Sequence, residues 1–270
     1  MRSALPRLGD DEERSDPMPQ ALKKRVRRSK AEQRAESIEQ ILDAAEYLFS
    51  KHGLHGVTLR DVAQHVGIHT TLVHYYFQDK QNLFEEVFAR RAAVTSSARM
   101  AALDRYAAEA GDAPTVEGAL HAFLDTDLDL YVQGGEGWMN YAAFGARASN
   151  TPEGAALMDV HFDPVVLKLV GILKQALPGH ADEDIFWGYH FVTGALMNTL
   201  ARTGRIDRLS GGLCHSDDFN AVKQRIAKFM AAGFHSLAPG VGSADAKPKP
   251  AAKKTPANKA PAKKSANRTR

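Results

Sequence analysis

Residues 58–80 read Thr-Leu-Arg-Asp-Val-Ala-Gln-His-Val-Gly-Ile-His-Thr-Thr-Leu-Val-His-Tyr-Tyr-Phe-Gln-Asp-Lys, and this stretch decides the fold. It predicts two short helices joined at Gly67, because glycine readily takes the left-handed conformation that such a turn requires. Ala63 is small enough to let the two helices approach closely. The second helix is expected over residues 70–77. The pattern is typical of a helix-turn-helix, whose second helix enters the major groove of DNA.

The residues around this stretch supply start and stop signals for neighbouring helices. Ser29 and Glu32 are spaced as a capping box that opens a first helix, and Gly53 ends it. Thr58 is suited to cap the second helix. Asp79 is suited to cap a fourth, expected from residue 80 to about residue 106. Together these signals predict a three-helix DNA-binding unit at residues 29–80.

Beyond residue 80, apolar residues recur at helical spacing, and no alternating pattern of useful length indicates a strand. Breaks that contain glycine or proline separate the segments. Further helices are expected over residues 115–132, 138–148, 152–177, 182–202 and 217–237. We therefore predict an all-α fold, with a second helical domain at residues 81–240.

The net charge of +3 conceals an uneven distribution. Residues 81–243 carry 13 basic and 19 acidic side chains, whereas residues 244–270 carry 9 basic and 1 acidic. Lysine, alanine and proline dominate residues 241–270, which are predicted to form a disordered cationic tail. Residues 1–28 are predicted to form a disordered arm, with a basic run at 23–28 that can enter a minor groove.

Composition and motifs argue against several other classes of protein. Cys214 is the sole cysteine, so no intrachain disulfide is possible, and no apolar run approaches the ~20 residues of a membrane span. The N-terminus lacks the apolar segment of a secretory signal, so a cytoplasmic, nucleoid-associated protein is expected. Phosphate-binding loops, nucleophile elbows and paired metal motifs are absent, so we predict neither an enzyme nor a cofactor. The histidine-rich run 65–74 lacks the supporting cysteine or carboxylate ligands of a metal site.

The run Ile41-Leu42-Asp43-Ala44-Ala45-Glu46-Tyr47-Leu48-Phe49, followed by Gly53 and by Thr58 through Phe77, resembles the N-terminal domain of the TetR family of transcriptional regulators. The later half resembles the ligand domain of a fatty-acid-responsive subgroup, through Trp187-Gly188-Tyr189-His190-Phe191, Leu209-Ser210-Gly211-Gly212 and residues 229–233. The resemblance implies a homodimer, a palindromic DNA operator, and a small-molecule inducer that weakens DNA binding. It also suggests a fatty acid or acyl-coenzyme A as that inducer.

The resemblance and the residue chemistry together indicate which side chains contact DNA. Threonine hydroxyls can bond base edges, a tyrosine hydroxyl and a lysine suit phosphates, and a helix N-terminus favours a phosphate. The predicted contacts are Thr58, Arg60, His69, Thr70, Thr71, His74, Tyr75 and Lys80. His74 stands where the family commonly has tyrosine.

Aromatic and polar residues concentrate in three segments of the second domain, where they can enclose an apolar pocket or simply form bundle core. The predicted ligand contacts are Trp138, Tyr141, Phe144, Arg147, Phe162, Trp187, His190 and Phe191. Arg147 and His190 suit a carboxylate, phosphate or thioester head. Helices 182–202 and 217–237 are expected to pair with their symmetry mates in a four-helix dimer interface.

An alternative function remains open: an architectural DNA-binding protein that acts through its basic tail, largely without sequence preference. Deleting residues 244–270 is expected to flatten the salt dependence of DNA binding and to leave operator choice intact, because each neutralised phosphate adds about 0.9 to the log–log slope. Titrations of full-length and truncated protein at several salt concentrations measure this slope. An unchanged slope would contradict a DNA-binding role for the tail.

Overall fold

The computed structural model describes residues 29–237, and no β-strand occurs among them. The predicted arm at 1–28 and the predicted tail at 241–270 lie outside the described residues. The helices are α1 Lys30–His52, α2 Leu59–Val66, α3 Thr70–Phe77, α4 Lys80–Ala110, α5 Val116–Gln133, α6 Gly135–Ala148, α7 Pro152–Ala176, α8 Asp182–Leu200, α9 Arg205–Leu209 and α10 Phe219–Ser236. The all-α prediction is confirmed.

The first three helices begin and end at the predicted signals. Ser29 and Glu32 form the capping box of α1, and Thr58 forms a second capping box with Asp61 at the start of α2. Gly67 ends α2 with φ +79° and ψ +32°, the left-handed conformation that the turn into α3 requires. Asp79 caps α4 by accepting a hydrogen bond from the Asn82 backbone N–H. Local sequence signals therefore place α3 as predicted.

The largest differences from the expectation in the second domain concern α4, α6 and the segment 204–215. Helix α4 continues four residues past the expected Tyr106 and stops only at Gly111, where φ is +55°. Helix α6 begins at Gly135 rather than at residue 138, because Gly134 and Gly135 complete the turn by themselves. The segment 204–215, expected to consist of turns, contains the short helix α9.

The two domains share one hydrophobic core. Phe144 of α6 stacks at 6.0 Å from Phe49 of α1, and contacts Phe84 and Phe88 of α4 edge-on at 4.9 and 5.9 Å. All four rings are buried, and such aromatic pairs contribute beyond their buried area. The first turns of α4 thus belong to the same packed unit as the DNA-binding domain, although residue 80 is the predicted boundary.

The second domain is a bundle in which α4 packs along α5 and α7, and α10 packs along α5 and α8. Helix α6 crosses from this bundle to α1 and also packs against α8. It therefore connects the bundle to α1, the first helix of the predicted DNA-binding unit. Within residues 29–237, no helix combines the length and the hydropathy needed to cross a bilayer.

Candidate nucleic-acid interface and ligand cavity

Helix α3 has one buried face and one exposed polar face. Val73 and Phe77 are buried in the core, which fixes the helix against α2 and α4. On the opposite side Thr71, His74 and Tyr75 are exposed, and 73% of Tyr75 is accessible to solvent. Tyrosine is commonly at least partly buried, so the exposure of Tyr75 leaves its ring and its hydroxyl available to a partner.

The other predicted DNA contacts lie around this face. His69 is the N-cap residue of α3 and is exposed, Thr70 is half-buried in its first turn, and Lys80 is half-buried at the start of α4. Thr58 and Arg60 are exposed at the start of α2. All eight predicted side chains therefore belong to the α2–α3 unit or to the first residue of α4.

Hydrogen bonds of His74 and Thr58 define the chemistry of this surface. His74 donates from Nδ1 to the Gln78 carbonyl oxygen at 3.0 Å, which leaves Nε2 for a partner. Thr58 donates its backbone N–H and its hydroxyl to the Asp61 carboxylate at 2.8 and 2.7 Å, which holds the pKa of Asp61 below its usual range. Asp61 is therefore an anion at neutral pH and keeps the start of α2 capped.

A charged cluster joins the DNA-binding helices to the second domain. Glu46 of α1 is 1% exposed and accepts hydrogen bonds from Arg90 at 3.0 Å and from Arg91 at 2.7 and 3.0 Å. The Arg91 guanidinium also lies over the Trp138 ring of α6, 4.9 Å from its centroid. Trp138, a predicted ligand contact, lies at this junction between α1, α4 and α6 and is not among the residues that line the cavity of the second domain.

The second domain contains a cavity of about 590 Å³ that is open on one side, a size that suits a drug-sized ligand. Residues of helices α4 to α8 line it. Three of the eight predicted ligand contacts are among the lining residues: Tyr141, Phe162 and His190. Among the described residues, His, Cys, Asp and Glu side chains form no group of three suited to a metal ion.

The other predicted ligand contacts lie elsewhere. Phe144 is part of the aromatic core, and Arg147 donates from Nε to the Ser50 carbonyl oxygen of α1 at 2.8 Å. Trp187 and Phe191 are 51% and 56% exposed and stack with ring centroids 6.1 Å apart on the outer side of α8. Arg147 is thus engaged away from the cavity, because α6 turns that side chain toward α1.

A buried ionic group in the cavity wall was not anticipated from the sequence. Arg99 of α4 and Asp127 of α5 are about 5% and 2% exposed, and their Nη2 and Oδ2 atoms are 2.7 Å apart. Arg99 also donates from Nε to the Phe123 carbonyl oxygen at 3.1 Å, and the Tyr131 hydroxyl donates to Asp127 Oδ2 at 3.0 Å. Burial raises the pKa of Asp127, and the Arg99 guanidinium acts against that rise.

A helical-spacing signal for this group is present in the sequence. Asp127 falls on the apolar stripe of α5 with Leu120, Leu124 and Tyr131, all of which are buried. A carboxylate in such a stripe is costly to bury unless another group pairs with it or a cavity lies beside it. Periodicity alone therefore marks Asp127 as unusual, although it does not identify Arg99 as its partner.

Comparison with known proteins agrees with this geometry. The family described as "Bacterial regulatory proteins, tetR family" matches residues 41–87, and the family described as "Tetracyclin repressor-like, C-terminal domain" matches residues 121–233. The chain is similar to the HTH-type transcriptional regulator BetI of Escherichia coli O157:H7, with 27% identity over 188 residues that cover 69% of this chain and 92% of BetI.

Solved structures show the same fold. A transcriptional regulator from Pseudomonas aeruginosa PAO1 aligns with a TM-score of 0.51 and 18% identity, covering 78% of this chain and 97% of that one. The ketosteroid transcriptional regulator KstR2 of Mycobacterium tuberculosis aligns with a TM-score of 0.51 and 17% identity, and the alignment covers 73% of this chain and 94% of KstR2. With both halves matched by the domains of one family, and with the helix-turn-helix and helical bundle in place, the chain belongs to the TetR family of transcriptional regulators.

Proposed function

We propose that the protein is a repressor that binds a palindromic operator as a homodimer through α3 and leaves it when a small ligand fills the cavity. The observation that carries the proposal is the exposed polar face of α3, which displays Thr71, His74 and Tyr75 on a helix anchored by Val73 and Phe77. Hydroxyl groups on such a face can contact base edges and phosphates.

Dimer formation is supported by an exposed apolar surface on two adjacent helices. Trp187 and Phe191 of α8 and Phe229 of α10 are 51%, 56% and 75% exposed. A rigid contact joins the two helices, because Gly188 lies directly against the Phe234 ring, where any side chain would collide. Clusters of large exposed apolar side chains mark interaction surfaces. Pairing α8 and α10 with their symmetry mates would bury them and set two α3 helices ~34 Å apart.

The route from cavity to DNA-binding domain is supported by the contacts of α6. Tyr141 and Gly145 of this helix line the cavity, while Arg147 of the same helix holds the Ser50 carbonyl of α1. A ligand that favours one position of α6 would therefore favour one position of α1. The shift cannot exceed the difference in ligand affinity between the two positions.

Two substitutions on α3 test the DNA-binding face. Thr71→Val removes a hydroxyl at nearly constant volume and is expected to weaken binding to the preferred site by about 1–3 kcal/mol per half-site, with reduced discrimination. Tyr75→Phe removes a hydroxyl that can donate a hydrogen bond to a phosphate. It is expected to weaken binding to the preferred and the random duplex equally. Fluorescence anisotropy with a duplex from upstream of the protein's own gene and with a random duplex measures both effects.

The matched control is Tyr47→Phe, which removes a hydroxyl from α1, where the ring stacks on His65 and borders α6 rather than α3. Its DNA affinity should equal that of the unaltered protein. If Thr71→Val and Tyr75→Phe also bind both duplexes with unchanged affinity, α3 is not the reading helix. Equal affinity of the unaltered protein for both duplexes would favour the architectural alternative.

A further inference from the structure

The wall of the cavity holds a carboxylate oxygen that lacks a protein partner. Asp127 lines the cavity, and its Oδ2 atom is engaged by Arg99 and Tyr131. Its Oδ1 atom is buried and accepts no hydrogen bond from the described residues. Buried polar atoms are almost always hydrogen-bonded, so this oxygen of the cavity wall is a candidate acceptor for a group that enters the cavity.

The charges of the lining are strongly unequal. Three carboxylates line the cavity, those of Asp127, Asp159 and Asp163, against the single guanidinium of Arg99, which Asp127 already engages. No ion pair links Asp159 or Asp163 to a cation within residues 29–237, and both are exposed on one face of α7. Counted over its carboxylates and its guanidinium, the lining therefore carries a formal charge of −2.

The nearest lysine along α7 does not correct this imbalance. Lys168 lies outside the lining and pairs with Asp104 of α4, with 2.8 Å between Nζ and Oδ1. Arg147, which was predicted as an anchor for a ligand head group, donates a hydrogen bond to the Ser50 carbonyl oxygen. An anionic head group entering the cavity would thus approach two unpaired carboxylates, and the guanidinium in the lining, that of Arg99, is already paired with Asp127.

Aromatic rings supply the remaining wall. Phe88, Phe162, Tyr131, Tyr141 and Tyr189 all line the cavity. Burial raises the pKa of the Tyr131 and Tyr141 phenols, so both stay neutral. The face of an aromatic ring carries negative potential and attracts cations, as the Arg99 guanidinium already illustrates at 4.2 Å from the Phe123 centroid.

The geometry points to a hydrophobic organic amine, protonated at neutral pH, as the class of ligand that the cavity binds. The apolar body lies among the rings, Asp159 and Asp163 balance the ammonium charge, and an N–H or O–H of the ligand donates to Asp127 Oδ1. This inference rests on the proposed ligand-responsive function and specifies its ligand. It departs from the acyl ligand that the family resemblance suggests.

The test compares matched probes on two carbon frames, decyl and 4-phenylbutyl, each as the amine, the alcohol and the carboxylate. Isothermal titration with the full chain is expected to show each amine binding about tenfold or more tighter than its carboxylate. A carboxylate that binds as tightly as its amine, or an absence of amine binding at millimolar concentration, would overturn the proposal.

Variants locate the site. The double substitution Asp159→Asn with Asp163→Asn removes two exposed charges and is expected to weaken amine binding about tenfold while leaving alcohol binding unchanged. Asp104→Asn, which removes an exposed carboxylate outside the cavity, should leave amine affinity unchanged. Equal losses in both variants would indicate a general charge effect and contradict the assigned site.

Operator binding, measured separately, distinguishes this proposal from the function on which it rests. A protein that binds its operator but prefers carboxylates contradicts the amine assignment and leaves the regulator intact. An amine that binds with the expected preference but does not release the operator supports the ligand class and contradicts the proposed release step.

Discussion

Replacing Arg99 with methionine is expected to lower the free energy of unfolding by about 3–5 kcal/mol, because it leaves the Asp127 carboxylate buried without its counter-charge. Both side chains are nearly inaccessible to solvent, so water would replace the guanidinium only in part. Urea unfolding followed by circular dichroism at pH 7 measures the loss. The difference in the free energy of unfolding between the variant and the unaltered protein should become smaller as the pH falls.

The sign of that pH dependence follows from the pKa of Asp127, which burial already raises and which the loss of Arg99 would raise further. A carboxyl group with a raised folded-state pKa binds more protons in the native state than in the unfolded state. The stability of the variant therefore falls as the pH rises toward the folded-state pKa and recovers below the unfolded-state value.

Two controls test whether the loss of stability comes from leaving a charge buried. Lys168→Met breaks the exposed ion pair with Asp104 and should cost about 1 kcal/mol or less, since surface pairs contribute little. Adding Asp127→Leu to Arg99→Met should restore most of the lost stability, because no buried charge then remains. A double variant as unstable as Arg99→Met alone would contradict the electrostatic explanation.

Replacing Phe229 with aspartate is expected to raise the dimer dissociation constant on the order of 100- to 1000-fold. A buried aromatic anchor contributes about 2 kcal/mol or more to an interface, and twofold symmetry counts it twice. Because Phe229 is 75% exposed in the single chain, the fold itself should persist. Sedimentation velocity reports the assembly, and operator affinity should fall in parallel, since a monomer presents one α3.

The matched control is Val94→Asp, which places the same charge on an apolar residue of α4 that is 47% exposed and lies on neither α8 nor α10. Its dimer should dissociate like that of the unaltered protein. A Phe229→Asp protein that remains dimeric at low micromolar concentration would exclude the α8–α10 surface as the interface.

In the second domain, the sequence predicts which residues are helical but not which of them line the cavity. Of the predicted ligand contacts, Tyr141, Phe162 and His190 line the cavity, whereas Phe144 lies in the core and Trp187 lies outside the cavity. All are apolar or amphipathic residues at helical spacing, so periodicity assigns them to a helix. It does not show which neighbouring helix packs against the face that carries them. The neighbour depends on how α6 and α8 pack.

The sequence by itself determined the helix-turn-helix, since its signals act over three or four residues: Thr58 with Asp61, Gly67 at the turn, and Asp79 with Asn82. Only the tertiary structure decided the cavity and its charge. Arg99 and Asp127 are on separate helices and meet because α4 packs along α5, while Arg147 is drawn to Ser50 because α6 packs on α1. Local hydrogen bonds can be read from neighbouring residues, but burial and pairing arise only when distant helices come into contact.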